Sequence, residues 1–180
     1  LINRVAYRSL VDAVEVFQSY ASRASFVADR DNVAAAEANL TGLRFLSIAD
    51  LDEASALATR MCSHLFYKRQ DRVILAPRYD GCGIINTCFG DAISDLEHVI
   101  ELKDGDRPFR SHEFRQITIY SALHLNKTGR MPPSISVINS RRGVSIDMPI
   151  GEFAGEVAGQ SSYDYLREVI RVISDDTISQ

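Results

Sequence analysis

Tryptophan is absent from this chain and lysine nearly so: Lys68, Lys103 and Lys127 stand against seventeen arginines. Cysteine is scarce and poorly spaced for structural chemistry. Cys62, Cys82 and Cys88 are odd in number and contain no CxxC pair. That argues against a zinc ribbon or a disulfide framework and for reduced, mostly buried thiols. No apolar run approaches the roughly 20 residues that span a bilayer, so no membrane partner is expected and a cytoplasmic location is. The opening Leu1-Ile2-Asn3-Arg4 has neither an initiating methionine nor a signal-peptide pattern, and the expectation is a segment of a longer chain. Internal repeats, low-complexity tracts and obvious linkers are also lacking.

What is present suits a globular protein. A hydrophobic content of 46% with 24% charged residues is ordinary for that class, and 180 residues suffice for one cored domain plus a helical appendage. The net charge of −4 speaks against a generic nucleic-acid coat. Charge is nevertheless uneven. Between Glu101 and Arg142 the eight basic residues Lys103, Arg107, Arg110, Arg115, Lys127, Arg130, Arg141 and Arg142 outnumber four acids, a local +4. Positive surface beside acidic ligands suits a polyanionic substrate that needs a metal.

Apolar periodicity predicts a long helix over 2–29, with Val5, Leu10, Val14, Phe17 and Phe26 on one stripe, and an alanine-rich piece over 32–39 that Gly42 breaks. An apolar first helix makes self-association or docking on partner domains an expectation. Asp50, with Glu53 three residues on, is expected to cap a helix that carries Leu57, Met61, Leu65 and Phe66 and ends at Lys68-Arg69. Residues 73–75 read as a short strand closed by Pro77. Asp80-Gly81-Cys82-Gly83 reads as a turn, and 84–89 as a second strand that ends in Gly90-Asp91 and extends through Ser94. A three-residue turn at Asp95-Leu96-Glu97 pairs residue 93 with 99 and sets Asp91 opposite Glu101; a slip of one residue would part the two acids. A helix follows over 113–125, then a loop from Lys127 to Pro133. Strands at 134–139 and 144–147 flank a turn at Arg141-Arg142-Gly143, and two helices close the chain over 152–158 and 163–173. This order predicts an α/β protein, a sheet flanked by helices, with a helical segment at 1–48 ahead of the main domain at 49–180.

Within this order, polar residues recur where the element periods bring them together. Glu101 and Lys103 are two apart in a strand of Val99, Ile100 and Leu102, so both side chains leave the same face. Gln116 and Tyr120, at i and i+4 of the next helix, share one of its faces. In so lysine-poor a chain, a lysine at the end of an apolar strand is less easily filler, and its compact ammonium does what an arginine cannot. Each residue also has a plainer reading: a solvated strand edge, a turn-capping Asp91, an exposed Gln116, a half-buried Tyr120. Asp95 competes with Asp91 but falls in the turn. All five in this order point to an enzyme.

Asp91, Glu101-x-Lys103 and Gln116-x-x-x-Tyr120 resemble the PD-(D/E)xK nuclease superfamily, in particular its RecB-like branch with a QxxxY motif. The resemblance covers about 73–147, with the helix at Asp50 as the one before the core. It implies a restriction-endonuclease-like core, αβββαβ with one further strand, a mixed sheet flanked by helices and an N-terminal helical extension. It also implies a metal-dependent nuclease that hydrolyses phosphodiester bonds in nucleic acid, DNA rather than RNA, as the cutting module of a larger prokaryotic defence or DNA-repair system. Asp91, Glu101 and the main-chain carbonyl of Leu102 would hold Mg²⁺ or Mn²⁺. Lys103 would orient the attacking water and stabilise phosphoryl charge, Gln116 would position water or phosphate, and Tyr120 would support that geometry. Arg107, Arg110 and Arg115 would bind substrate, although Arg107 reads equally as part of a solvated loop. Arg141 and Arg142 are candidates for substrate or partner contact. There are departures. Gly90 stands where the superfamily has proline, only Glu53 and His64 could match a catalytic Glu or His in the preceding helix, and no cysteine follows Cys88 to serve an iron–sulfur cluster. The alternative is a catalytically degenerate nuclease-fold domain that binds nucleic acid or mediates protein assembly.

Overall fold

A computed structural model describes residues 48–67 and 72–175. The helices expected over 2–29 and 32–39, the break at Gly42 and the basic tail Lys68-Arg69 lie outside the described residues. By contact the chain falls into two compact units. One takes in the first described helix and the turn Ser140–Gly143, the other Val73–Asn139 and the chain from Val144 on.

In the first unit, α1 (Ile48–Cys62) runs into a π-helical turn at Ser63–Tyr67. Ala54, Leu57, Ala58, Met61 and Leu65 are buried at the three-and-four spacing of one helical stripe. The helix begins two residues before Asp50, so Asp50 belongs to its first turn and is not the N-cap that the capping-box pattern suggested. The other half of that pattern, Glu53, pairs with Arg141, while Arg60 donates to the carbonyl oxygens of Ser140 at 3.4 Å and Arg141 at 3.1 Å. The ladder widens where the Ser63 hydroxyl donates to the Thr59 carbonyl at 2.8 Å, a side-chain bond to the same oxygen that the helical ladder uses.

The second unit is α/β, with a mixed five-stranded sheet. Its strands are β1 (Val73–Leu75), β4 (Ala92–Ser94), β5 (Val99–Lys103), β6 (Ser134–Asn139) and β7 (Val144–Pro149), in the order β1-β4-β5-β6-β7. Two short strands, β2 (Arg78–Tyr79) and β3 (Cys88–Phe89), form a separate ribbon. The first three sheet strands are antiparallel neighbours, β5 and β6 are parallel across α2 (Ser111–Thr128), and β6 and β7 form a hairpin. The helices α3 (Ile150–Ala158) and α4 (Ser162–Ser174) follow. Ile93, Val99, Ile135 and Val137 from the sheet meet Ile117, Ala122 and Leu125 of α2, Ile150 and Phe153 of α3 and Leu166 of α4 in one core. Burial of that apolar area is the main stabilising term.

The turn between β4 and β5 forms as its length dictates. Ile93 pairs with Val99, Glu97 takes a left-handed φ of 66°, and its N–H donates to the Ser94 carbonyl at 2.9 Å. Asp95 sits exposed in this turn.

The strand expected over 84–89 is corrected: only Cys88–Phe89 is strand. Cys82 and Ile85 bridge across a tight turn, and the Ile84 N–H donates instead to the carbonyl of Ile173 at the end of α4. Gly83 permits this approach. Its φ is +54°, and a Cβ there would lie 1.9 Å from that same carbonyl oxygen. The pairs of β1 with β4 and of β2 with β3 keep one register, so 73–79 and 88–94 form a single hairpin with a bend in it. At the bend Ala76 takes φ 49°, its N–H donates to the Asp91 carbonyl and the Gly90 N–H to the Pro77 carbonyl, both at 3.0 Å.

Candidate active site

Asp91 lies on that bend, one residue before β4. Continuing the Ile93–Val99 register sets it opposite Glu101, and the two carboxyl groups come within hydrogen-bonding reach of each other. Asp91 Oδ2 also accepts the main-chain N–H of Leu102 at 2.7 Å. Strand alternation sends Val99, Glu101 and Lys103 to the sheet face that α2 covers. Glu101 is 0% exposed; its Oε1 accepts from Lys103 Nζ, and no protein donor reaches its buried Oε2. Lys103 also donates to Gln116 Oε1 at 3.1 Å, and Gln116 Nε2 donates to the Tyr120 hydroxyl at 3.0 Å. All five side chains singled out in the sequence therefore meet on one surface.

The electrostatics follow from burial. Desolvation, and next to it the charge of Asp91, pushes the Glu101 carboxyl up to about 8. Asp91 is raised as well, first by burial, against the pull of the Leu102 N–H and Lys103. Two carboxyls that share a dry site cannot both ionise cheaply without a cation. An orphaned carboxylate oxygen beside a second acid is the donor set that a hard divalent ion prefers, so these residues fit Mg²⁺ or Mn²⁺. Among the described residues, however, no group of three or more His, Cys, Asp or Glu is placed to hold a metal. A hard divalent ion commonly completes its shell with main-chain oxygen, water or substrate.

Tyr79, which the sequence reading did not single out, completes the wall. Its ring stacks on Tyr120 with centroids 5.4 Å apart and planes 14° apart, and the residue is 2% exposed. A Cβ on Gly90 would lie 2.7 Å from Tyr79 Cε2, so a side chain at that position would press on the ring. No local sequence signal marks Tyr79, since its place beside Tyr120 comes from the bend that folds it onto α2.

The arginines divide. Arg107 pairs with Glu113 at 2.8 Å and lies beside His112 Nε2 at 2.8 Å, so it braces the start of α2. Glu113 is buried, and its Oε2 accepts the Arg110 N–H at 2.8 Å. Burial works against its ionisation, but the N–H groups of Arg110 and Glu113 itself and the Arg107 guanidinium hold it below the usual carboxylate range. Arg110 is exposed at the N-cap. Arg115 lies about 100° around α2 from Gln116, where it lines a largely apolar cavity of about 500 Å³ with Phe114, Thr118, Val157, Tyr165 and Val169. Glu53 and His64 belong to the first unit.

No family model matches this chain, and no curated protein or solved structure is found to be similar to it. Among the described residues, no helix is long and apolar enough to cross a membrane.

Proposed function

We propose that this protein is a metal-dependent nuclease that hydrolyses phosphodiester bonds in nucleic acid, DNA rather than RNA. The observation that carries the reading is the buried Asp91–Glu101 pair, with one carboxylate oxygen lacking any protein donor and the Lys103 ammonium on the other. The antiparallel run β1-β4-β5 followed by α2 and the parallel β6, with α1 earlier in the chain, supports a restriction-endonuclease-like αβββαβ core.

Asp91 and Glu101 would hold the cation, and the Leu102 carbonyl would join them. When bound, Mg²⁺ or Mn²⁺ supplies Lewis-acid polarisation of a phosphoryl oxygen. Lys103 contributes fixed positive charge where negative charge grows on the phosphate, in a site too dry to screen it. Gln116 holds the lysine and Tyr120 at once, so the ammonium is oriented before substrate arrives. Arg110, exposed at the start of α2, is left to grip the polyanion, whereas Arg107 is engaged by Glu113 and Arg115 lines the apolar cavity. The protein would act as the cutting module of a prokaryotic defence or DNA-repair assembly.

The test offers single- and double-stranded DNA and RNA to the protein with Mg²⁺, Mn²⁺ or EDTA. Metal-dependent cutting that Glu101→Ala abolishes supports the reading; cutting that survives in EDTA or in that variant overturns it. The engagement of Arg107, and the finding that no three or more His, Cys, Asp or Glu among the described residues are grouped to hold a metal, favour one rival, a degenerate nuclease-fold domain that binds without cutting. Binding of nucleic acid without any Mn²⁺ uptake in calorimetry would select that rival.

A further inference from the structure

Tyr79 presents an anomaly. Its hydroxyl is buried and meets no protein acceptor, although the ring is held by its stack on Tyr120 and by the close approach of Gly90. A buried hydroxyl without a partner destabilises a fold, while the same ring without the oxygen would fit the same space. The hydroxyl is not remote from charge. The charges of Glu101 and Asp91 act on it, as they act on the Tyr120 phenol. Two stacked phenols thus lie against Gly90, the residue before Asp91, and their situations differ. The Tyr120 oxygen already accepts from Gln116, whereas the Tyr79 oxygen has a proton to donate and no protein group to receive it. Across the same site, Glu101 Oε2 is an acceptor with no donor.

We infer that Tyr79 is a positioning residue of the cation-loaded site, its hydroxyl donating to the carboxylate ligands Asp91 and Glu101 once the cation draws them into place. The inference rests on the metal-dependent reading and names a residue outside the motif that carries that reading. Tyr79 comes from the β2–β3 ribbon and not from the sheet, so the bend at Ala76 and Gly90 brings a donor from a second structural element to the acids.

The test compares Tyr79→Phe with Tyr120→Phe in the full chain. Both keep the stacked rings, and each removes one hydroxyl. Thermal unfolding without metal and calorimetric Mn²⁺ binding are measured for both. Tyr79→Phe should unfold at the same or a higher temperature than the wild type and bind Mn²⁺ about ten-fold more weakly, the scale of a lost support to metal ligands. Tyr120→Phe, which strips Gln116 of an acceptor, should unfold at a lower temperature. Unchanged Mn²⁺ affinity in Tyr79→Phe overturns the inference, as does a drop in its metal-free stability equal to that of Tyr120→Phe. A wild-type protein that takes up no Mn²⁺ overturns the metal-dependent reading and this inference with it, whereas a wild type that binds beside an unaffected Tyr79→Phe overturns the inference alone.

Discussion

Glu101 carries opposing demands. In the metal-free protein its buried carboxyl faces Asp91, and the mutual repulsion is offset only in part by Lys103. Glu101→Gln relieves that repulsion, so the metal-free variant should unfold at the same or a higher temperature than the wild type. Mn²⁺ at about a hundred times its Kd stabilises a binding-competent protein by about 2.7 kcal/mol. The wild type should show that rise in calorimetry and Glu101→Gln should not; equal rises in both would remove Glu101 from the ligand set. Lys103→Ala acts differently. In the proposed nuclease it leaves the acids in place but would withdraw charge from the substrate phosphate, so kcat should fall on the order of 100-fold or more. Circular dichroism should report an intact fold.

The start of α2 shows how an element consumes residues that composition offers to substrate. Glu113 accepts the Arg110 N–H and pairs with Arg107 while almost fully buried. Its removal in Glu113→Ala leaves a main-chain donor and a guanidinium without their acceptor, at a cost of about 1–3 kcal/mol, readable as a lower urea midpoint. Nearer its other end, α2 buries His124, whose Nε2 lies 3.7 Å from Glu97. Desolvation holds His124 below the ordinary histidine value despite Glu97, with Arg130 and Lys127 adding to the depression. The unfolded chain takes up that proton at about pH 6.5 and the folded chain only lower. Stability is therefore full above pH 6.5 and declines as pH falls through the depressed folded value. His124→Gln should flatten that decline in denaturation curves measured between about pH 7 and 5; an unchanged slope would show that other groups set it.

At the scale of the whole molecule, an acidic chain carries a basic stretch, and the two act at different ranges. Net charge of −4 repels a polyanion at a distance, while exposed Arg110 can attract it locally. Nucleic-acid affinity should then fall steeply with salt, and Arg110→Glu should lower the slope of log K against log salt by about 0.7–0.9. Arg107→Ala should leave that slope near its wild-type value and instead lower the unfolding temperature, because its charge is matched within the fold.

Much of this arrangement was readable from local pattern, for a definite reason. A strand's two-residue period alone commits Glu101 and Lys103 to one face, and a helix's period alone joins Gln116 to Tyr120. A three-residue turn then aligns residue 93 with 99. None of these depends on what packs where. Tertiary structure decided the rest: that 88–94 bends at Gly90 and does not run straight from residue 84, that Tyr79 folds onto Tyr120, that Glu101 is sealed from solvent, and that buried Glu113 pairs with Arg107. Each of those outcomes requires two elements distant in sequence to meet, and the free energy that selects the meeting comes from burial and pairing across the contact, which no local period encodes.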